Sequence, residues 1–222
     1  MEVDQLRAQM TDSDPSKRMA ALVSLRFLSD EQALPLLKEA ARDSVPLVRV
    51  YAAIGLGKKK GDGGFELLLD LLNNDTEASV RAEAAGSLGS LGDPRAYEYL
   101  TRAYFEDIDW IVRYSVVVSL GQLRDPRGYD LLCDALGSDT DMVRDAAISA
   151  LGELGDSKAS ELLLPYVGNP DPEVRRRVAE ALGHIGCDAC EAALAYMAKD
   201  DNPKVAEFAE YYLDYLRKNE RK

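Results

Sequence analysis

Apolar residues recur along this chain at the spacing of one face of an α-helix, and the same pattern returns after 31 or 32 residues. Val80, Ala84, Leu88 and Leu91, for example, are separated by four, four and three residues, as on the buried side of an amphipathic helix. A fixed period of this length predicts a stack of two-helix repeats, because one such repeat cannot bury its apolar face alone. One leucine marks each period: Leu25, Leu56, Leu88, Leu120, Leu151, Leu182 and Leu213.

Short polar segments between the helical patterns supply the residues that end and start helices. Gly92 suits the left-handed residue after a helix, Asp93 the N-cap of the next helix and Pro94 its first turn. A second proline, such as Pro46 or Pro172, marks the start of the second helix of a repeat. The sequence therefore predicts an all-α fold, a right-handed superhelical solenoid of about seven helical hairpins in a single domain. The predicted repeats are about 1–29, 30–60, 61–92, 93–124, 125–155, 156–186 and 187–222.

Composition narrows the kind of partner. The net charge of −12 argues against nucleic acid, since affinity for phosphates comes mainly from lysine and arginine, and it favours partners with basic patches. No stretch reaches the roughly 18 apolar residues of a transmembrane helix, and the N-terminal sequence lacks a signal-peptide core. We therefore expect a cytoplasmic protein without a transmembrane segment.

The three cysteines form a sparse, odd set, which fits a reducing compartment better than a disulfide-stabilised fold. Cys187 and Cys190, close to the single histidine His184, have the spacing of a metal or redox motif. In the repeat pattern, however, Cys187 takes the place of an N-cap aspartate and Cys190 that of a small core residue, and no fourth metal ligand is evident. We expect no metal and no stably bound cofactor; a thiol role for Cys187 stays open as an alternative.

Arginine recurs with the same period and invites a functional interpretation. An aspartate, asparagine or serine lies six residues before each of these arginines, for example Asp75 before Arg81. Because guanidinium groups bind carboxylates and carbonyl oxygens well, the sequence favours a structural ladder that fixes one repeat against the next. The ladder positions are Arg18, Arg49, Arg81, Arg113, Arg144 and Arg175, and Ala206 takes the seventh place.

The repeat consensus resembles the short form of HEAT repeats. The likeness rests on the start of the second helix, DPEVR at 171–175, and on its end, ALGELGD at 150–156. This short form is similar to the repeat of the phycobilisome lyase superfamily, and the likeness covers nearly the whole chain. The stretch DWIVRYSVVVSLG at 109–121, with the aromatic pair Trp110 and Tyr114, is most similar to the non-bleaching B family of phycobilisome-degradation proteins.

The resemblance implies a cyanobacterial protein that binds phycobiliprotein subunits or the phycobilisome at the thylakoid surface and promotes chromophore detachment or antenna disassembly. It also implies transient contact with a linear tetrapyrrole such as phycocyanobilin. Two alternatives stay open: a subunit of a bilin lyase that attaches chromophores to phycobiliproteins, and a non-enzymatic scaffold between proteins. No family motif fixes a catalytic residue, so catalytic residues stay unassigned.

The second helices of such hairpins usually line the concave face of the array. On each second helix, the positions two before, one after and five after the ladder arginine lie on a face that points away from the buried apolar residues. These positions are mostly apolar or small in repeats two to five and charged in repeats six and seven. The sequence predicts a surface near repeat four that binds a partner or bilin; burial between neighbouring second helices is the alternative. The candidate residues are Leu47, Val50, Ile54, Trp110, Ile111, Tyr114, Val118 and Met142, with Arg113 as a partner for a propionate.

Overall fold

The computed structural model describes residues 3–59 and 62–219 of the chain. Over these ranges the chain forms fourteen α-helices and no β-strand, so the predicted all-α class is confirmed. Three short 3-10 segments accompany them, at Leu25–Phe27, Pro126–Gly128 and Leu164–Gly168. The helices are α1 (Val3–Met10), α2 (Pro15–Ser24), α3 (Asp30–Ala40), α4 (Pro46–Gly57), α5 (Asp62–Asn74), α6 (Ala78–Leu91), α7 (Ala96–Glu106), α8 (Trp110–Leu123), α9 (Tyr129–Leu136), α10 (Asp141–Leu154), α11 (Ala159–Leu163), α12 (Pro172–Ile185), α13 (Asp188–Met197) and α14 (Pro203–Asn219).

Consecutive helices pair across short turns, as α3 does with α4 and α5 with α6. Each second helix also packs on the second helix of the next repeat, as α4 does on α6 and α10 on α12. Stacking of hairpins on their neighbours is the packing of a helical solenoid, and the predicted solenoid class is confirmed. The period leucines form its core, because all seven are at most 8% exposed.

The chain divides into two compact units, Met1–Ser119 and Leu120–Lys222. The first unit contains α1 to α7 and most of α8, and the second contains the last residues of α8 and α9 to α14. The single domain predicted over residues 1–222 remains a prediction.

Proline and glycine mark the helix ends largely as predicted. Pro46 and Pro172 are the first residues of α4 and α12, and Gly92 adopts the left-handed conformation with φ of 67°. The first helix of a repeat begins differently. Asp93 accepts the backbone N–H of Arg95 at 2.9 Å, but α7 begins only after this residue. The aspartate thus caps a separate tight turn that leads into the helix, since a side-chain acceptor satisfies a free N–H there.

Glycines set the distance between neighbouring second helices. A Cβ built on Gly89 of α6 would lie 2.6 Å from Cβ of Ser119 on α8, far closer than apolar atoms pack. The same contact recurs from repeat to repeat. The glycine always lies eight residues after the ladder position of its own repeat, and its partner lies six residues after the ladder position of the following repeat. The pairs are Gly57–Ser87, Gly89–Ser119, Gly121–Ala150, Gly152–Ala181 and Gly183–Tyr212.

The structure differs from the expectation of a protein without disulfides at one place. Cys187 and Cys190 are joined by a disulfide at the start of α13, while Cys133 on α9 is free. A separation of three residues brings two side chains to the same side of one helical turn, and composition alone cannot reveal this proximity.

Candidate functional site

A group of exposed apolar side chains lies at the turn between α7 and α8. Ile108 is 92% exposed, Phe105 65% and Trp110 43%. We call these three residues the turn cluster. Large apolar side chains so exposed on an acidic protein indicate a contact surface rather than a core.

Two members of the turn cluster depart from the repeat pattern. Ile108 takes a position that serine, threonine, aspartate or proline holds in the other six repeats, and Trp110 begins α8 where four repeats have proline. Phe105 and Ile108 lie outside the second-helix positions that carry the predicted surface, so neither was predicted as a surface candidate. A comparison of the turn positions would have found Ile108, because an apolar residue there stands out among polar ones.

The turn that carries this cluster is held by Asp107. Its carboxylate accepts Nε and Nη2 of Arg81 at 2.6 and 3.0 Å and the backbone N–H of Asp109 at 3.0 Å. Nη1 of Arg113 donates to the carbonyl oxygens of Asp107 and Ile108, at 3.1 and 3.2 Å. Burial alone would raise the pKa of Asp107, but the hydrogen bonds from Arg81 and Asp109 outweigh burial and lower the pKa. A turn fixed in this way loses little entropy when its side chains bind a partner.

The predicted surface residues of the first unit lie on two second helices, α4 and α8. Most of their side chains are half-buried, so neighbouring groups cover part of this face. α6 lies between the two helices, because α4 packs on α6 and Gly89 of α6 contacts Ser119 of α8. The half-buried members are Val50, Ile54, Ile111, Tyr114 and Val118, and the exposed members are Leu47 and Trp110.

Small residues of α6 separate the apolar residues of α4 from those of α8. Ser79, Ala82 and Gly86 occupy the three corresponding positions around Arg81. A Cβ built on Gly86 would meet no atom within 4 Å. The face of α6 is therefore open at Gly86, whereas Ala82, one turn earlier, is buried.

Met142 lies on α10 in the second unit, and its side chain is exposed. Asp145, one turn further along the same helix, is half-buried, and its carboxyl lies 3.9 Å from Nε of Arg177. Burial raises the pKa of Asp145 more than the arginine lowers it. The fifth repeat thus combines an apolar side chain with a partly desolvated acid.

Most ladder arginines bind the carboxylate of the following repeat. Arg49 donates Nε and Nη2 to Asp75 at 2.7 and 2.8 Å and Nη1 to the carbonyl oxygen of Asp43 at 2.8 Å. The residue six positions earlier therefore supplies its carbonyl oxygen, and the next repeat supplies the carboxylate. These guanidinium groups are engaged in packing, and none is free for a ligand. The pairs are Arg18–Asp43, Arg49–Asp75, Arg81–Asp107 and Arg175–Asp200.

Arg113 and Arg144 differ, because Ser138 and Asn169 stand where the paired aspartate would be. Arg144 instead binds Asp141 of its own helix and donates Nη1 to the Ser138 carbonyl oxygen at 2.8 Å. No acidic side chain within the described ranges pairs with Arg113, which keeps its contacts to two carbonyl oxygens. Its Nε and Nη2 are the donors that bind a carboxylate in the other ladder residues.

A cavity lies where the glycine contacts are interrupted, between the first two repeats. Arg26 takes the place of the glycine, and Gly55 takes the place of the small residue opposite. The cavity measures 240 Å³ and is lined by Leu22, Leu37 and Ile54 among others. Because small-molecule sites usually measure about 300–1,000 Å³, this cavity is too small for a tetrapyrrole, although Ile54 of the predicted surface lines it.

A more polar cleft of 470 Å³ lies in the second unit, lined by Arg124, Glu153, His184 and Tyr211 among others. The hydroxyl of Tyr212 lies 3.3 Å from Nε2 of His184. Burial raises the pKa of the Glu153 carboxyl, although His184 and Arg124 act in the opposite direction. Its mixed lining suits polar groups better than a flat apolar body.

The described ranges, residues 3–59 and 62–219, also bear on metal binding and membrane crossing. They contain no group of three or more histidine, cysteine or acidic side chains placed to hold a metal ion. No helix in them combines the length and the apolar character that a membrane crossing requires.

Two protein-family models match the chain. The model of HEAT repeats matches residues 42–121, 65–152, 104–170 and 130–214. The model of the PBS lyase HEAT-like repeat matches residues 17–43. Comparison with curated proteins gives no match.

Several solved structures have a similar fold. The complex of CpcE and CpcF of phycocyanin lyase from Nostoc sp. PCC7120 is 22% identical with a TM-score of 0.65, and the match covers 97% of this chain and 95% of that chain. The Escherichia coli protein YibA is 20% identical with a TM-score of 0.62, covering 96% and 93%. An engineered protein is 20% identical with a TM-score of 0.59, covering 97% and 68%. Because the HEAT-repeat matches span well over half of its residues, the chain belongs to the HEAT-repeat family.

Proposed function

We propose that this protein binds phycobiliproteins or their linear tetrapyrrole chromophores and promotes chromophore detachment or disassembly of the antenna. The observation that carries the proposal is the turn cluster, three exposed apolar side chains on a turn that Asp107 and Arg81 hold in place. Aromatic anchors on a fixed backbone are typical of residues that dominate binding energy. The half-buried face of α8 extends this surface.

The chemistry of a bilin suits this surface. A linear tetrapyrrole is a flat apolar body with two propionate groups, and we propose only transient binding of it. Trp110 and Tyr114 offer ring surfaces for the apolar body, and Gly86 on the neighbouring α6 has open space above it. A propionate would take Nε and Nη2 of Arg113, as the aspartates do in the paired ladder positions.

In a detachment reaction the thioether bond belongs to the client protein. The role we assign to this chain is to bind the pigment-bearing surface and to change the conformation or exposure of the chromophore. That role needs complementarity to a distorted chromophore rather than a nucleophile of its own. The match to the PBS lyase HEAT-like repeat at residues 17–43 supports a phycobilisome client.

A second candidate function is that of a bilin lyase subunit, which attaches chromophores through the same surface. The specific observation in its favour is the similarity of fold to a chain in the complex of CpcE and CpcF of phycocyanin lyase, which covers 97% of this chain and 95% of that chain. The two functions differ in direction: one removes pigment from the client and the other adds it.

The test is a titration of pigment-loaded phycocyanin and of its pigment-free form with this protein. Visible absorbance follows the pigment, and the mass of the complex follows binding. Since the chain has one tryptophan, quenching of Trp110 fluorescence by the bilin reports contact at the turn cluster directly. We expect binding that requires the pigment, followed by loss of bound pigment.

Trp110→Ala should weaken binding by about tenfold or more, as for an interface anchor. Tyr196→Ala is the matched control, because Tyr196 on α13 is an exposed aromatic residue outside the proposed surface. The affinity of this variant for pigment-loaded phycocyanin should change by less than about twofold. Pigment gained by the pigment-free form would favour the lyase. Absence of binding to either form would overturn both functions and leave a protein scaffold without pigment.

A further inference from the structure

The pair Cys187 and Cys190 is not used by the proposed function. Cys187 is the N-cap of α13, and its Sγ accepts the backbone N–H of Cys190 at 3.2 Å. The two Cα atoms lie 4.9 Å apart, and the sulfurs are bonded. A pair of cysteines separated by two residues at the start of a helix is the arrangement in which one sulfur becomes reactive.

Other repeats show what the position of Cys187 accommodates. Asp93, Asp125 and Asp156 stand at the same place in their repeats. Each accepts the N–H of the residue two positions later, at 2.9 to 3.0 Å. Backbone N–H groups thus donate to a negative charge at this place in three other repeats. Arg95 and Arg127 also pair with Asp93 and Asp125, so Asp156 is the example in which the backbone N–H acts without an arginine. A thiolate at Cys187 would replace those carboxylates and gain the N–H of Cys190.

The two sulfurs differ in access. Cys190 is fully buried, at a position that alanine fills in other repeats, as Ala96 and Ala159 do with equal burial. Cys187 is only half-buried. An external thiol therefore meets Cys187 first, and Cys190 is protected.

The charges beside the pair are partly neutralised. Asp188 and Glu191 lie in the first turn of α13 and oppose a thiolate. Glu191, however, accepts Nε of Arg217 at 2.7 Å, which offsets its charge. One uncompensated carboxylate remains against the N–H groups of the helix start.

We propose that Cys187 and Cys190 form a thiol–disulfide exchange site that reacts reversibly with an external thiol. In reduction, the thiolate of a first external thiol attacks Sγ of Cys187, the bond to Cys190 breaks, and its electron pair leaves on Sγ of Cys190, which takes up a proton. A second external thiolate then attacks the external sulfur of this mixed disulfide and releases Cys187 as a thiolate. The external thiols leave as their disulfide, so two electrons and one proton have passed to the protein, and the second proton is released to the solvent.

The first measurement counts thiols. The protein is equilibrated with oxidised glutathione or with dithiothreitol, then unfolded and alkylated, and its intact mass is recorded. With three cysteines in the chain, we expect one alkyl group after oxidation, at Cys133, and three after reduction. Three alkyl groups after oxidation would overturn the proposal.

The second measurement tests which sulfur reacts. The variants are Cys190→Ala and Cys187→Ser, and both should keep the fold. Alanine fills the position of Cys190 in other repeats, and serine at the position of Cys187 is a common N-cap residue. With oxidised glutathione, Cys190→Ala should hold a stable adduct at Cys187. Cys187→Ser should react at Cys190 at least about tenfold more slowly while folded, because that sulfur is buried. Peptide mapping assigns each adduct, and circular dichroism checks the fold.

Unfolding the variants supplies the control. In denaturant the two variants should react at similar rates, because the difference arises from burial in the folded protein. Cys133 is an internal reference in the folded samples, since burial raises the pKa of its thiol and should keep it slow. Equal rates for Cys187 and Cys190 in the folded protein would refute the assignment of the exchange to Cys187.

Discussion

Gly89 and Gly86 lie on the same helix, and replacing each by alanine is expected to have opposite effects. A Cβ on Gly89 would lie 2.6 Å from Cβ and 2.7 Å from Cα of Ser119, whereas apolar heavy atoms in contact usually lie about 4.0–4.5 Å apart. Because the Cα belongs to the backbone of α8, the clash is relieved only if α6 and α8 move apart. Overpacking of this kind lowers the free energy of unfolding by about 1–3 kcal/mol.

Gly86→Ala is the matched control. A Cβ there would meet no atom within 4 Å, and alanine in the interior of a helix is more stable than glycine by about 0.5–1 kcal/mol. The same gain acts in Gly89→Ala, so the two variants should differ by the overpacking cost, about 1–3 kcal/mol. Urea denaturation followed by far-UV circular dichroism measures this difference.

A double variant tests the cause. In Gly89→Ala with Ser119→Gly, the opposing Cβ and Oγ are removed, so the part of the clash that falls on the Ser119 side chain is relieved while the contact with its Cα remains. We expect the combined loss to be smaller than the sum of the single losses by about 1 kcal/mol or more. Equal stability of Gly86→Ala and Gly89→Ala would show that Gly89 does not set the distance between α6 and α8.

Three further predictions concern the ladder and the disulfide. Arg49→Lys should lower the free energy of unfolding by about 1–3 kcal/mol, because lysine cannot reproduce the two parallel bonds to the buried Asp75 carboxylate. Arg113→Lys is the control, since it breaks no carboxylate pair. It should lower the free energy of unfolding by less than about 1 kcal/mol in the same denaturation assay. Burial alone would raise the pKa of Asp75, but hydrogen bonds from Arg49 and from the backbone lower it below its usual 3.8. The ionised Asp75 carboxylate therefore contributes its full stabilisation of the fold above pH 3.8. This contribution is lost as the pH falls through the lower pKa of the folded protein. Denaturation curves from about pH 6 to about pH 2 should therefore show an acid loss that Asp75→Asn reduces. Reduction of the bond between Cys187 and Cys190 should cost no more than about 2 kcal/mol, since closing so short a loop removes little chain entropy; a much larger shift in the urea midpoint with dithiothreitol would contradict this.

The sequence by itself determined the repeat, its core and most of its helix ends. The leucine period predicts the buried positions because one face of each helix must be covered by its neighbours, and all seven leucines are buried. Prolines such as Pro46 and glycines such as Gly92 mark helix ends through their own backbone preferences. These signals are local, so they are readable without knowing which repeat touches which.

Tertiary structure decided how the repeats meet and which side chains remain exposed. The periodic aspartates were visible in the sequence, but only the packing of α4 on α6 shows that Arg49 binds the carboxylate of Asp75 and the carbonyl oxygen of Asp43. The exposure of Ile108 and the half-burial of Tyr114 likewise depend on neighbouring helices. Composition gave no sign of the bond between Cys187 and Cys190. In each case the deciding quantity is a distance between groups on different turns or different helices, and a one-dimensional period does not contain it.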